Sequence, residues 1–387
     1  MLANKVRIGF ISEVSPFDRT YMSGTNFKIC DSLMSIGCSI DWIRVSQSKS
    51  FRLCCSLIRK LTKFSQKKID LVHSVIGSKL LQQSIDMSAL SECDVLFAAF
   101  GSQYICNLKT KKPIIYLTDA TFKLMIGYYY VHDLSKWSIA QGNKVEHKAF
   151  DNASAIIVAS QWAAASAIND YSQSPSKVKV LEFGANVEDK DIIKKQFIYN
   201  GHLHLLFLGV DWKRKGGQIA VDACKWLNEH DIPSTLHIVG IKKLEDSIKS
   251  LPYIDYIGFL NKNIQEQYAM LVETIVKCHC LLLPTLQEAA GIAFCEASAY
   301  GLPVFSHLTG GVSNYVYDGR NGYLLPLGST GADFGAKIKE CLESGELRRM
   351  SETAKEVYKE KLNWNVWAEK VEVVINNVLR QQNGRIE

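Results

Sequence analysis

Residues 280–283, Cys-Leu-Leu-Leu, form an unbroken apolar run, too short for a helix and suited to a parallel strand buried on both faces. It opens onto Pro284-Thr285-Leu286-Gln287-Glu288-Ala289-Ala290-Gly291, after which residues 292–300 carry a helical pattern stopped by Gly301 and Pro303. A buried strand that passes through a polar loop into a helix start belongs to a layered α/β fold. Free amides at a helix start attract anions, and carboxylates beside them grip hydroxyls. Glu288 and Glu296, with seven residues between them, would bracket a polyol attached to a phosphate. Taken alone, Glu296 also reads as a solvated helix residue and Gly291 as a turn.

The same alternation starts at the beginning of the chain. Residues 6–11 read as a strand, 26–36 as a helix closed by Gly37, and 39–45 as the next strand. Gly24, in the loop after the first strand, either lets an amide approach a phosphate or is only a turn. Residues 94–99, 113–117, 155–159 and 178–183 are further strands, with a helix over 146–153 and another opening at Ser160. Asp119 follows a strand end, where ligands of open α/β sheets sit, and either orients an acceptor hydroxyl or caps the next helix. Residues 187–201 are polar and weakly periodic, which marks an interdomain linker.

A second series starts at residue 202. Its first strand closes at Gly209, and the loop that follows holds Lys213, Arg214, Lys215, Gly216 and Gly217 before a helix that runs through Trp226. Cations beside glycines at a strand end, just before a helix, make a diphosphate pocket; a solvated basic turn is the plainer reading. Strands follow at 234–240 and 254–260, and helices at 334–343, 352–361 and 364–379. Trp364 and Trp367 are expected to cover core.

At 387 residues, 47% hydrophobic and 22% charged, the chain can build two separate cores. A formal charge of +6 does not by itself argue for nucleic acid. Eleven cysteines without repeated metal-ligand spacing fit a reducing cytosol. The opening apolar run is too short for a signal peptide, and no stretch reaches the length of a membrane span. Residues 51–68 hold Arg52, Arg59, Lys60, Lys63, Lys67 and Lys68 with no acid, while Leu53, Leu57, Leu61 and Phe64 recur at helical spacing. This basic amphipathic helix either packs its apolar stripe on the sheet or meets anionic lipid headgroups.

The Glu288-x7-Glu296 string resembles that of retaining nucleotide-sugar glycosyltransferases of the glycogen-synthase-like family 4. The likeness extends through Gly301-Leu302-Pro303-Val304, Thr309-Gly310-Gly311, Asp318-Gly319-Arg320-Asn321-Gly322 and Leu324-Leu325-Pro326. It is dense from residue 203 to 326 and thin before 160.

The resemblance implies a GT-B fold, α/β, with two Rossmann-like doubly wound domains facing across a cleft. Residues 1–186 would form the first domain, 187–365 the nucleotide-sugar domain, and 366–387 a helix returning to the first. It implies an enzyme of the glycosyltransferase class, moving a sugar from a UDP- or GDP-type donor to a glycan or lipid-linked acceptor in cell-envelope polysaccharide synthesis. By the family's pattern Glu296 holds the ribose hydroxyls and Glu288 the transferred sugar, with the amides of Gly291, Ile292 and Ala293 on sugar or phosphate. Lys215 and Arg214 neutralise the departing diphosphate, Gly209 and Gly24 face the donor, and residues 258–260 hold the base, where Phe259 alone reads equally as core. Relatives often carry an Arg where Val210 stands, and a His near Asp119, so neither role transfers directly. No metal or other cofactor is expected and no nucleic-acid partner. The protein is expected in the cytoplasm, on the inner face of the membrane if residues 51–68 bind lipid. Two rival readings are a nucleotide-sugar epimerase of the same fold and a non-catalytic nucleotide-sugar-binding subunit of a larger complex.

Overall fold

The computed structural model describes residues 6–19, 21–62, 67–129, 132–187, 192 and 196–384. Two compact units emerge: residues 1–181 with 367–387, and residues 182–366.

The first unit is built on six parallel strands, β1 (Arg7–Ser12), β2 (Ser39–Arg44), β3 (Val95–Ala99), β4 (Ile114–Thr118), β5 (Ala155–Val158) and β6 (Val178–Val180), in the order β2-β1-β3-β4-β5-β6. Strands β3, β4 and β5 are buried along their whole length, as a parallel sheet covered by helices on both faces requires. The strand expected over residues 178–183 stops at Val180. Phe183 instead donates its N–H to Tyr315 Oη at 3.2 Å and stacks on Trp364 with ring centroids 5.9 Å apart, all within the second unit. The helix Lys136–Asn152 runs a full ten residues ahead of the expected start at 146, capped by the Ser135 hydroxyl on the Ser138 N–H.

The second unit repeats the plan with β7 (Leu203–Leu208), β8 (Ser234–Val239), β9 (Ile254–Gly258), β10 (Cys280–Leu282), β11 (Val304–His307) and β12 (Gly322–Leu325), all parallel, in the order β12-β11-β10-β7-β8-β9. The chain winds from β7 outward to β9, then returns to lay β10 on the other side of β7, with Cys280 and Leu281 opposite Leu205 and Leu206. The winding direction therefore reverses between β7 and β10, and the loops leaving their carboxyl ends open into one crevice, where doubly wound sheets bind ligands. Trp364 and Trp367 are buried, as their hydrophobicity demands.

The basic helix differs from expectation in extent, and of its two expected facings the outward one is found. It spans Lys49–Leu61, capped by Ser48; residues 63–66, including Lys63 and Phe64, lie outside the described residues. Lys68 is not helical: its N–H donates to Asp133 O at 2.6 Å, in an extended bridge beside Leu134. Phe51 and Cys55 face the core, whereas Leu53, Leu57 and Leu61 are 62%, 50% and 79% exposed. The apolar stripe does not pack on the sheet, because a different row, four residues apart, already fills that contact. No helix among the described residues is long and apolar enough to cross a membrane.

Candidate active site

Lys215 and Arg214 sit on a tight turn after β7. Asp211 builds it by accepting the Arg214 N–H on Oδ1 at 3.1 Å and the Lys215 N–H on its carbonyl at 3.0 Å. Gly216 follows at φ +72°, with the Pro284 carbonyl 2.0 Å from where a Cβ would stand, so only glycine lets the two loops close. They close by hydrogen bonds: Leu286 N–H and the Thr285 hydroxyl both donate to Arg214 O, at 2.8 and 3.3 Å.

That closure aims three side chains at one another. The Lys215 ammonium donates to Glu288 Oε2, and both side chains are buried. Arg214 Nη1 donates to Gln287 O at 3.0 Å and lies 3.9 Å from the same carboxylate oxygen. Gly209 leaves room for the Lys215 stem, since a Cβ there would stand 3.1 Å from Lys215 Cγ. A buried charge is tolerated only when paired, so each partner holds the other in this crevice.

The helix Ile292–Ala299 begins beside this pair. Gly291 precedes it where a Cβ would strike the Phe294 ring at 2.3 Å. The amides of Ile292 and Ala293, at the first two helical positions, have no intrahelical acceptor and carry the positive end of the helix dipole. Glu296, one turn on, is buried and accepts from Lys262 Nζ at 2.5 Å. Each carboxylate of the pair thus has a lysine from a different loop. Lys262 was not legible in the sequence: it follows β9, 34 positions before Glu296, and no local pattern connects them.

The downstream motifs divide into two roles. Gly311 N–H donates to Glu288 O at 2.9 Å and the Thr309 hydroxyl to Leu286 O at 3.2 Å, so that turn braces the site loop. Asn321, fully buried, donates to Ser298 Oγ at 3.1 Å and Tyr315 O at 2.8 Å, fixing the helix that carries Glu296. Phe259 is 47% exposed, with Lys242 Nζ 4.9 Å from its ring centroid; the core reading of this residue is wrong, because β9 is an edge strand and the ring follows its open end.

Gly24 and Asp119 belong to the first unit, each beyond the carboxyl end of a strand. Gly24 has φ +83° and opens the helix Thr25–Ser35. Asp119 is half-buried, and the capping role falls to Thr121, whose hydroxyl accepts the Leu124 N–H at 3.4 Å. The helix Phe122–Met125 starts two residues too late for Asp119 to reach its amides.

Residues 188–357 match the family model described as Glycosyl transferases group 1. An uncharacterized glycosyltransferase of Methanocaldococcus jannaschii is 28% identical over 175 residues, 44% of this chain and 48% of that protein. The chain spans about half the length of the curated relatives it matches. In fold it is similar to WaaG, a glycosyltransferase involved in lipopolysaccharide biosynthesis, with TM-score 0.63 and 16% identity over 95% of this chain and 99% of that one. It is likewise similar to Anabaena HepE solved with UDP and glucose, with TM-score 0.58 and 13% identity over 96% and 100%. With these structures the chain shares the GT-B fold class, two Rossmann-like doubly wound units.

Proposed function

We propose, from the membership of residues 188–357 in the glycosyl transferases group 1 family, that the chain is a retaining glycosyltransferase taking a sugar from a UDP- or GDP-type donor. The acceptor is a glycan or lipid-linked glycan of cell-envelope polysaccharide synthesis, as the likeness to a lipopolysaccharide enzyme suggests. The observation that carries this reading is the Lys215–Glu288 pair at the switch point of the second sheet, beside the start of the helix that holds Glu296.

Breaking the bond between sugar and phosphate places negative charge on the departing diphosphate and positive character on the sugar ring. Lys215, Arg214 and the amides of Ile292 and Ala293 are fixed in advance where that negative charge develops. Glu288 grips the sugar hydroxyls, Glu296 takes the ribose hydroxyls, and Gly209 lets the diphosphate approach the strand end. Phe259 offers an exposed face to the base. No carboxylate stands out as a covalent nucleophile, in keeping with transfer on the face the diphosphate leaves, the phosphate oxygen accepting the acceptor's proton. Within the first unit, Asp119 orients the acceptor hydroxyl, since the cap of the following helix is taken by Thr121. Cations fill the leaving-group role, and Asp211 and Glu288 are already engaged by Arg214 and Lys215, so turnover is expected without a divalent metal.

None of the eleven cysteines is disulfide-bonded, which suits a reducing cytoplasm. The exposed row Leu53, Leu57 and Leu61, flanked by Lys49, Arg52, Arg59 and Lys60, fits an anionic membrane surface at its cytoplasmic face.

The test is a panel of nucleotide sugars read first by thermal shift, since a ligand bound only by the folded state raises its stability, and then by nucleoside diphosphate release with and without acceptor. One donor should stabilise the protein, and acceptor should accelerate release. Donor consumed without acceptor would indicate an epimerase, and binding with no turnover a non-catalytic subunit.

A further inference from the structure

We propose that the first unit carries a second binding groove, for an acidic, hydroxyl-rich chain such as an anionic glycan, at the end of its sheet opposite the strand carboxyl ends. The groove has a volume of about 850 Å³ and lies between the end of the helix Val75–Gln82, the turn after Ser102–Ile105 and the last turn of Lys136–Asn152. That turn leads into the start of β4 and that last helical turn into the start of β5. Asp119 marks the other end of the same sheet, so this groove is separate from any acceptor position beside it.

Its charge is unbalanced. Lys79, Lys109 and Lys148 line it, and among the described residues none has a carboxylate within ion-pair distance. Lys148 Nζ instead donates to Asn107 Oδ1 at 3.2 Å. The single acid in the lining, Asp151, is already engaged by His147 Nδ1 and Gln173 Nε2, each at 2.9 Å.

The floor is fixed. Asn152 Nδ2 donates to Ile105 O at 2.7 Å and Leu108 O at 2.8 Å, and Gln82 Nε2 donates to the buried Ser78 hydroxyl at 3.3 Å. Three lysines lining a groove together with pinned amides suit a ligand with both negative charge and hydroxyls. The volume is that of a site for several linked rings, within the roughly 300–1,000 Å³ typical of such pockets, and larger than one phosphate needs. No aromatic side chain lines it, so it lacks the stacking platform of a single-stranded nucleic-acid site. None of this depends on the donor site in the second unit.

The experiment is fluorescence anisotropy at low salt, with a labelled galacturonic acid oligomer and its neutral galactose counterpart on the full chain. The acidic oligomer should bind and the neutral one should not. Lys79→Glu with Lys109→Glu, both at exposed positions, should weaken binding about tenfold or more, while Lys225→Glu in the second unit should leave it unchanged. A thermal melt of each variant separates loss of binding from loss of fold. Equal binding of both oligomers, no binding of the acidic one, or full affinity in the double variant would overturn the assignment. So would displacement of the probe by phosphatidylglycerol vesicles or by inorganic phosphate at equal charge, which would make this a headgroup or simple anion site.

Discussion

Lys215 and Glu288, 73 positions apart, form a buried ion pair across the two loops that leave β7 and β10. The turn at Asp211 and the glycine at 216 exist in this form so that the pair can close. The pair leaves an ammonium desolvated and fixed in the crevice, the arrangement the proposed diphosphate role requires.

Glu296 is the ribose clamp of this account. Glu296→Ala leaves donor hydroxyls without an acceptor and should weaken donor binding by about 1–3 kcal/mol in calorimetry while the fold persists. Lys262→Ala should cost less, because its ammonium is partly exposed and acts only by holding Glu296. Unchanged donor affinity in Glu296→Ala would remove the clamp.

The lipid reading rests on the outward row of leucines. Leu57→Ser with Lys60→Glu removes one apolar anchor and reverses one cation, each worth about 1 kcal/mol or more at an anionic surface. Sedimentation with phosphatidylglycerol vesicles should fall several-fold relative to wild type. If wild type itself stays in the supernatant at low salt, the membrane surface is not its partner.

Acid should loosen the second unit through its histidines. His237, buried, lies between Asp255, which accepts from Nδ1 at 2.7 Å, and His204, 3.0 Å from its Nε2, with His202, His279 and Lys277 around them. Burial and then the neighbouring cationic groups push His204 down to about 4 from an ordinary 6.5, and burial lowers His237. The unfolded chain takes up these protons near pH 6.5 while the native one resists, so stability is lost as pH falls from about 6.5 towards 4. His204→Asn should lose less melting temperature than wild type between pH 7 and pH 5; parallel curves would show that the cluster does not set the acid response.

Glu146 gives the opposite slope in the first unit. It is fully enclosed, accepts from Tyr116 Oη at 3.1 Å, and burial raises its carboxyl to about 7 from 4.5. The unfolded chain ionises first, so stability falls as pH rises from about 4.5 through 7. Glu146→Gln keeps an acceptor for Tyr116 and should gain melting temperature over wild type as pH goes from 5 to 8. A difference that does not change with pH would contradict this.

The strands were legible because parallel strands buried on both faces are continuous apolar runs, as at residues 95–99 and 280–282. The basic turn over residues 213–217 was legible because its glycines and cations are contiguous. What escaped depends on distance in the chain or on which row of a helix is turned inward. Lys262 meets Glu296 only once β9 and the helix after β10 are in place. The Lys49–Leu61 helix has two apolar rows, and periodicity alone could not say which faces the core; Phe51 and Cys55 do, while Leu53, Leu57 and Leu61 face outward. The four-histidine cluster draws on β7 and the residue before it, β8, and the residue before β10, which adjoin only in the folded sheet.

The most direct test of the central claim is turnover of the stabilising donor, followed as nucleoside diphosphate release in EDTA, for wild type and Lys215→Ala. A preorganised cation on the leaving group predicts full activity in EDTA and a loss of about 10²-fold to 10³-fold in the variant. Activity abolished by EDTA and restored by manganese, or normal turnover by Lys215→Ala, would contradict it.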